Sequence, residues 1–363
     1  MACFSDFPQE LVDHIVELAT PSFRLKRWDE RARTLNALCL TSKALLRPAR
    51  RLLYREVLVD KSSSLSALLA TSSGAIKAEG HKQTWLLVIS CVGRQGEWPL
   101  AEKDADLARM AVLVDRLKPT KVALRDAPIS FLSVAQGVTS LLLDRCGDLE
   151  DPLVPYQRFQ AVTRLAIYNC EFRIDESIFT SVSFPNLVTL ALRDTIYLPL
   201  GAGNGDDTFR LLDFSEDDLP LLPQLRVASL SWTDDLVDST PLAVLDTYLP
   251  DDAPTCALEF PSSLTVLRLV RPSSSLSKND HTLSSVVPLL SSPSFRPRLL
   301  ELHVVDFPLD SAVTSKAWSE IEAWCATNRV RLFKSNPEDV DEPLDPSFWR
   351  FPDGVNARLG INV

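Results

Sequence analysis

The residues that could carry chemistry are the histidines, the cysteines and the glycine-rich stretches. The four histidines lie far apart in the sequence: His14, His81, His281 and His303. We interpret none of them as having a carboxylate or cysteine at the spacing of metal ligands. The sequence has no nucleophile-elbow, zinc-protease or dinucleotide-binding signature. We therefore predict no catalytic residue, no metal ligand and no cofactor, and we expect a chain that is not an enzyme.

Two glycine-rich stretches resemble phosphate-binding loops only superficially. In residues 74–82 the second glycine comes one position late and His81 separates it from the lysine, which disturbs the cradle of amides. Residues 201–205 are followed by Asp206 and Asp207, whose carboxylates would repel phosphate. We interpret the second stretch as a flexible insertion.

The cysteines and the net charge indicate in which compartment the protein resides and which partners it can bind. The seven cysteines are scattered and form no C-x-x-C pair, as is usual for reduced thiols in a cytoplasmic or nuclear protein. Acidic residues interrupt any apolar run near the N-terminus, so we predict no secretory signal there. The apolar run 85–92 is much shorter than the roughly 20 residues that span a bilayer. With a net charge of −10, we expect neither nucleic acid nor a membrane as partner. Four arginines form a basic cluster that we interpret as a solvated helix face: Arg47, Arg50, Arg51 and Arg55.

A repeated apolar pattern organises most of the chain. In residues 162–172, VTRLAIYNCEF, the apolar positions Val162, Leu165 and Ile167 are followed by Cys170 and Phe172. This spacing matches the leucine-rich-repeat template, which forms one short strand per repeat. Further copies begin at Val138, Leu187, Leu225, Leu264 and Leu299, and weaker ones near Gln83, Pro119 and Thr327.

The pattern predicts parallel strands that share one interior. Leu165 and Ile167 would point to one face of a strand while Ala166 and Tyr168 point to the other, and stacked repeats bury the apolar face jointly. Cys146 and Cys170 would be structural residues inside the turns. We predict an α/β fold, namely an irregular leucine-rich-repeat solenoid with a curved parallel sheet; an α/β sheet with ordinary crossovers is the alternative. We expect the outward strand positions to line a concave binding surface, represented by Tyr168, Arg193, Ser229, Ser231, Arg268 and His303.

The repeats are unevenly spaced. Successive starts are first 24 and 25 residues apart and later 35 to 39, so insertions must lie between strands. Candidates follow Leu200 and occupy residues 234–255 and 271–297. The last of these contains apolar residues at helical spacing, as expected of a helix packed on the strands: Leu283, Val286, Val287 and Leu290. Four prolines come two or three residues before strand starts and would end the preceding segment: Pro185, Pro223, Pro261 and Pro297.

The first sixty residues read as a small helical module. Residues 7–19 predict an amphipathic helix with Pro8 in the first helical position and Leu11, Ile15, Leu18 and Ala19 on one face. A second helical run contains Leu35, Leu38 and Cys39. Ser42 would cap a short third helix, and Pro48 would open another. Leu11 and Leu18 could belong to the core of the module or to a contact surface.

This module resembles an F-box of the variant common in fungal proteins. The resemblance covers residues 4–59, from FPQELVDHIVELA to the closing phrase LYREV. It implies docking on the Skp-type adaptor of SCF ubiquitin ligases and, through it, on a cullin. The implied adaptor-binding residues are Phe7, Pro8, Leu11, Ile15, Leu38, Leu40 and Ser42.

Together these patterns predict an F-box-like module in residues 1–60, a repeat solenoid in 61–335 and an acidic, proline-rich tail in 336–363 that could cap the last repeat. We expect a substrate receptor that holds an unidentified target protein beside the ubiquitin-loading machinery. One alternative is a repeat scaffold that acts outside the ligase. Another alternative is an enzyme whose motifs are not recognisable. A deep pocket with convergent polar groups would favour that alternative.

Overall fold

The computed structural model describes a little more than half of the chain, which divides into two compact units between Ala123 and Leu124. The described residues are 7–21, 28–72, 84–93, 96–97, 103–127, 129–146, 158–168, 170–173, 184–193, 196–198, 224–231, 262–271, 283, 286–291, 297–305, 307 and 312–335. Both glycine-rich stretches, the segment 234–255 and the predicted tail lie outside them.

The first unit begins with helices and continues into strands. Its helices are α1 (Gln9–Ala19), α2 (Trp28–Thr41), α3 (Lys43–Arg55), α4 (Ser62–Ser72) and α5 (Lys103–Leu117). Its strands are β1 (Glu56–Val59), β2 (Leu86–Ser90), β3 (Val92–Gly93) and β4 (Gly96–Glu97), followed by β5 (Lys121–Arg125), in which the boundary between the units falls. Strand β1 pairs parallel with β2, and β3 pairs antiparallel with β4.

The first three helices share a small apolar core. Val12 and Val16 of α1, Leu35 of α2, and Leu45, Ala49 and Leu52 of α3 are all at most 4% exposed. Because Val12 and Val16 are four residues apart, they form one stripe along α1. This stripe is one residue away from the stripe that we predicted, which contains Leu11, Ile15 and Leu18.

The start of α3 confirms one expectation and corrects another. The Ser42 side chain accepts a hydrogen bond from the Ala44 amide at 3.2 Å, so Ser42 caps the helix as predicted. Pro48 does not open a new helix, because it lies buried inside α3. Pro48 removes one backbone hydrogen bond of the helix, while Leu45, Ala49 and Leu52 of the same helix pack into the core of the three helices.

The second unit is made mainly of parallel strands. It contains a 3₁₀ helix (Ile129–Ala135), β6 (Ser140–Asp144), β7 (Arg164–Tyr168), β8 (Glu171–Arg173), β9 (Thr189–Arg193), β10 (Ile196–Leu198), β11 (Val227–Ser231), β12 (Val266–Val270), α6 (Val286–Leu290), β13 (Glu301–Val305), α7 (Ala312–Asn328) and β14 (Arg331–Ser335). The order β6–β7–β9–β11–β12–β13–β14 follows the chain, and each neighbouring pair is parallel. Strands β8 and β10 form a separate parallel pair. The prediction of a mixed α/β chain with a parallel sheet is confirmed.

The strands lie where the repeated pattern places them. Each of β6, β7, β9, β11, β12 and β13 begins two residues after a predicted start, and all six start residues are buried. The weaker copies near Gln83, Pro119 and Thr327 precede β2, β5 and β14. In the predicted return helix, Leu283, Val286 and Leu290 are buried, although the described helix α6 is short.

Equivalent turns lead into successive strands of the second unit. The amides of Val138, Val162 and Leu187 each donate to the carbonyl three residues earlier, on Ala135, Phe159 and Phe184. The two phenylalanine rings stack at 5.0 Å. Just before β7, β9, β11, β12 and β13, a backbone amide also donates to the carbonyl at the matching position of the preceding repeat: Thr163 to Thr139, Val188 to Thr163, Arg226 to Val188, Thr265 to Arg226 and Leu300 to Thr265. The amide of Arg331, the first residue of β14, donates to the Leu300 carbonyl. The uneven spacing in sequence therefore does not change the register of the repeats.

The strand residues alternate between two faces, as period two requires. One face is apolar and buried; we call it the inward strand face, and it contains Leu141, Leu143, Leu165, Ile167, Leu190, Ala228, Leu267, Leu269, Leu302 and Val304. The central row of the opposite face, here the alternate strand face, runs in register through Leu142, Ala166, Ala191, Ser229, Arg268, His303 and Phe333.

Candidate docking surfaces

Helix α1 presents apolar side chains to solvent. Phe7, just before the helix, is 43% exposed, and Leu11, Ile15 and Leu18 are 50%, 38% and 73% exposed. Because Leu11, Ile15 and Leu18 are four and three residues apart, they lie in one row along the helix; with Phe7 we call them the α1 row. Leu11 and Leu18 therefore do not belong to the core of the module.

The other residues implied by the resemblance lie in different environments. Leu40, near the end of α2, is 88% exposed, whereas Leu38 is partly buried against the core of the three helices. Pro8 precedes the first helical residue, one position earlier than predicted, and its carbonyl accepts hydrogen bonds from the amides of Leu11 and Val12. Ser42 serves as the cap of α3. Of the implied set, Phe7, Leu11, Ile15 and Leu40 thus combine apolar character with exposure.

An ion pair connects the helices of the first unit to its first strand. Nη2 of Arg31 lies 2.7 Å from Oε2 of Glu56, and both side chains are less than a tenth exposed. Arg31 also donates to the Pro21 carbonyl at 2.6 Å. Burial raises the pKa of Glu56 above its usual value, against the opposing effects of Arg31 and Arg55. The sequence analysis did not identify this pair, because its two residues lie on different elements.

A second contact reinforces the same junction. Strand β1 begins directly after α3, and the Trp85 amide donates to the Arg55 carbonyl at 2.8 Å. The Arg55 guanidinium lies 5.7 Å and the Lys121 ammonium 4.3 Å from the centre of the Trp85 ring, within reach of cation–π attraction. The helical module and the first strands therefore belong to one unit.

The alternate strand face contains the residues predicted to line a concave surface. The prediction that Tyr168 lines an open surface is wrong, because this residue is only 4% exposed. In a parallel sheet both faces can be covered, so an outward strand position need not face solvent. Arg268 and His303 are half-buried neighbours in register. Backbone register pairs Tyr168 with Arg193, Ser229 with Arg268, and Ser231 with Val270.

Four side chains on β13 and β14 form a compact group on this face. Oε1 of the fully buried Glu301 lies 2.6 Å from Nη2 of Arg331, and its Oε2 lies 3.1 Å from Nε2 of His303. The His303 ring stacks on Phe333 with centroids 4.5 Å apart and planes 14° from parallel. The sequence analysis did not identify Glu301, two residues earlier on the same strand, as the hydrogen-bond partner of His303. The signal was present, because residues two apart in a strand share a face.

Cys146 and Cys170 are buried just after the ends of β6 and β7. The Cys146 amide donates to Sγ of Cys170 at 3.3 Å, while the two thiols donate to backbone carbonyls of Leu124 and Tyr168. The hydrogen bond with Cys170 and burial raise the pKa of the Cys146 thiol well above its usual value. Such a thiol is a poor nucleophile at neutral pH, so packing explains it better than chemistry.

Two further features are absent from the described residues. No helix among them is both long and apolar enough to cross a membrane. Within the same ranges, no three histidine, cysteine or acidic side chains are grouped in a way that could hold a metal ion.

Comparison with known protein families, with curated proteins and with solved structures finds no match to this chain.

Proposed function

We propose that this chain is the substrate-recognition subunit of an SCF-type E3 ubiquitin ligase. In this role the helices α1 to α3 dock on a Skp-type adaptor, which leads to a cullin, and the strand repeats hold a target protein. The chain itself would catalyse nothing; it would raise the effective concentration of the target beside the ubiquitin-loading machinery. The finer fold assignments, an F-box and a leucine-rich-repeat solenoid, are part of this proposal.

The observation that carries the proposal is the α1 row. Of the seven large apolar side chains that are exposed in the described parts of the chain, five lie in this small helical module. Exposed apolar side chains grouped in this way are typical of protein-binding surfaces. A partner that covers a half-exposed leucine gains about 1 kcal/mol from its burial, so several such residues can support a specific complex.

The repeating geometry of the second unit supports the leucine-rich-repeat part of the proposal. Matching hydrogen bonds precede successive strands, and Cys146 and Cys170 occupy the same template position in neighbouring repeats. Single strands of this kind cannot bury an apolar face alone, but a stack of them can. The return segments between the strands vary in length and would carry the differences that distinguish one target from another.

Adaptor binding can be tested with purified components. Isothermal titration of the full chain with a Skp-type adaptor should give a saturable complex. Leu11→Asp and Ile15→Asp should each weaken it by about tenfold or more, because a carboxylate would have to be buried in an apolar contact.

Leu300→Asp is the matched control, since Leu300 is 46% exposed but belongs to the second unit. It should leave adaptor affinity unchanged. Absence of binding by the intact, folded chain would overturn the ligase assignment and favour a scaffold that acts outside the ligase.

A further inference from the structure

His14 is exposed beside the α1 row, although the resemblance does not imply it as a binding residue. It comes three residues after Leu11 and four residues before Leu18, and residues at these spacings are neighbours on one side of a helix. Both leucines are exposed as well. The apolar surface that α1 presents to solvent is therefore bordered by an ionisable imidazole ring.

The charged groups of α1 that flank this ring are two carboxylates at the edge of the same surface. Glu10 lies four residues before His14 and Glu17 three residues after it, so each is one helical turn away. Both side chains are exposed. A partner that covers the α1 row would approach His14 between these two acids and the leucines.

The neighbouring helices bring their charges to other parts of α1. Nη1 of Arg51 on α3 lies 2.9 Å from Oδ2 of Asp13, which points to a different side of the helix from His14 because successive residues are about 100° apart. Arg31 of α2 donates to the Pro21 carbonyl and pairs with Glu56. These contacts leave the side of α1 that contains His14 for a partner.

Docking through the α1 row would remove His14 from water together with the leucines. Transfer of a charged imidazole into an apolar contact is strongly unfavourable, whereas a neutral ring can be buried with a single hydrogen bond. Histidine is also the side chain whose ordinary change of charge falls between pH 5 and pH 8. A partner that covers this surface therefore selects the neutral ring.

We propose that His14 belongs to the adaptor-docking surface and makes docking dependent on pH, with weaker binding as the pH falls. This inference rests on the proposed function, because it assigns a further residue and a form of regulation to the surface that α1 presents to the adaptor. The sign follows from proton linkage. The free chain can hold a proton that the complex excludes, so acidification stabilises the free chain relative to the complex.

The test is isothermal titration of the full chain with a Skp-type adaptor at about pH 7.5 and about pH 5.5. The wild type should bind about tenfold more weakly at the lower pH, as expected when one imidazole must lose its proton. His14→Phe, checked by circular dichroism for retained folding, should bind with nearly equal affinity at both values, because its ring keeps the apolar contact but cannot be protonated. Comparison of the two chains removes the titration of the adaptor itself.

Proton release gives a second measurement. Between these two pH values, the apparent enthalpy of wild-type binding should differ between phosphate and Tris buffers, because the buffer takes up the released proton. The apparent enthalpy of His14→Phe should differ much less.

Asp13→Asn is the matched control on the same helix. Asp13 is ion-paired with Arg51 away from the α1 row, so this variant should keep the wild-type ratio of affinities at the two pH values. Equal ratios in wild type and His14→Phe would overturn the proposal, as would an equal loss of pH dependence in Asp13→Asn. Tighter wild-type binding at the lower pH would also overturn it, since the adaptor would then select the charged ring.

The two proposals fail in different ways. A chain that binds the adaptor with the same dependence on pH before and after His14→Phe would disprove only the role of His14. A chain that binds the adaptor at neither pH would overturn the ligase assignment and this inference together.

Discussion

The α1 row and the inward strand face are both regular apolar stripes, yet they end in opposite environments. Leu11 and Leu18 are 50% and 73% exposed, whereas Leu165 and Leu267 are 2% and 0% exposed. Each strand of the second unit has a neighbour of the same kind that continues its apolar face. Helix α1 buries Val12 and Val16 within the module, while the row beside them is left in solvent. The periodicity of apolar residues therefore predicts which side chains share a face, but it does not predict whether another element covers that face.

The largest effect should come from opening the inward strand face. Leu267→Ala removes a fully buried side chain between two paired strands and should lower the free energy of unfolding by about 4 kcal/mol. Urea unfolding followed by far-UV circular dichroism measures this. A loss below about 1 kcal/mol would mean that the strands do not share a tightly packed interior.

The buried ion pair of the first unit should give the next largest effect. Arg31→Met leaves Glu56 without its close counter-charge and should cost about 3 kcal/mol at neutral pH. Glu56→Gln combined with Arg31→Met should recover much of this loss, because no charge then remains buried.

The same pair predicts a dependence on pH. Because burial raises the pKa of Glu56 above 4.5, the folded chain holds this proton where the unfolded chain has lost it. That contribution to stability is full below pH 4.5 and is lost as the pH rises through the folded pKa. In Arg31→Met the pKa should rise further, so its deficit against wild type should grow from pH 4.5 towards neutral pH. A constant deficit in urea unfolding over this range would contradict the assignment.

A smaller effect should follow removal of the cap of α3. Ser42→Ala deletes the hydrogen bond to the Ala44 amide and should cost about 1 kcal/mol. The adjacent Thr41→Ala is a suitable control, since Thr41 is exposed and its hydroxyl donates within its own helix to the Ala37 carbonyl. Thermal unfolding of both variants measures the difference, and equal values would remove Ser42 from its role as a cap.

The smallest effect on stability should come from the α1 row itself. Leu11→Ala truncates a side chain that is already half exposed, and it should change the free energy of unfolding by no more than about 0.5 kcal/mol. The same urea titration used for Leu267→Ala applies here. A loss comparable with that of Leu267→Ala would abolish the contrast between the two stripes and place the α1 row in the core.

Local patterns predicted the strand positions well and the solvent exposure less well. The starts at Val138, Val162 and Leu187 correspond to strands because apolar residues at period two and a following turn are properties of short segments. Tyr168 was assigned to an open surface and is buried, while Val12 and Val16 were passed over in favour of Leu11 and Leu18. Burial depends on what lies opposite a residue, and that neighbour belongs to another element of the chain.

The sequence by itself determined the parallel α/β character, the places where the strands begin, and the cap at Ser42, because each depends on contacts between residues close in the chain. Tertiary structure alone decided which stripe of α1 is covered, that Arg31 meets Glu56, and that Glu301 meets Arg331. These pairings span tens of residues or join separate strands, and their energies depend on a burial that no short segment can specify.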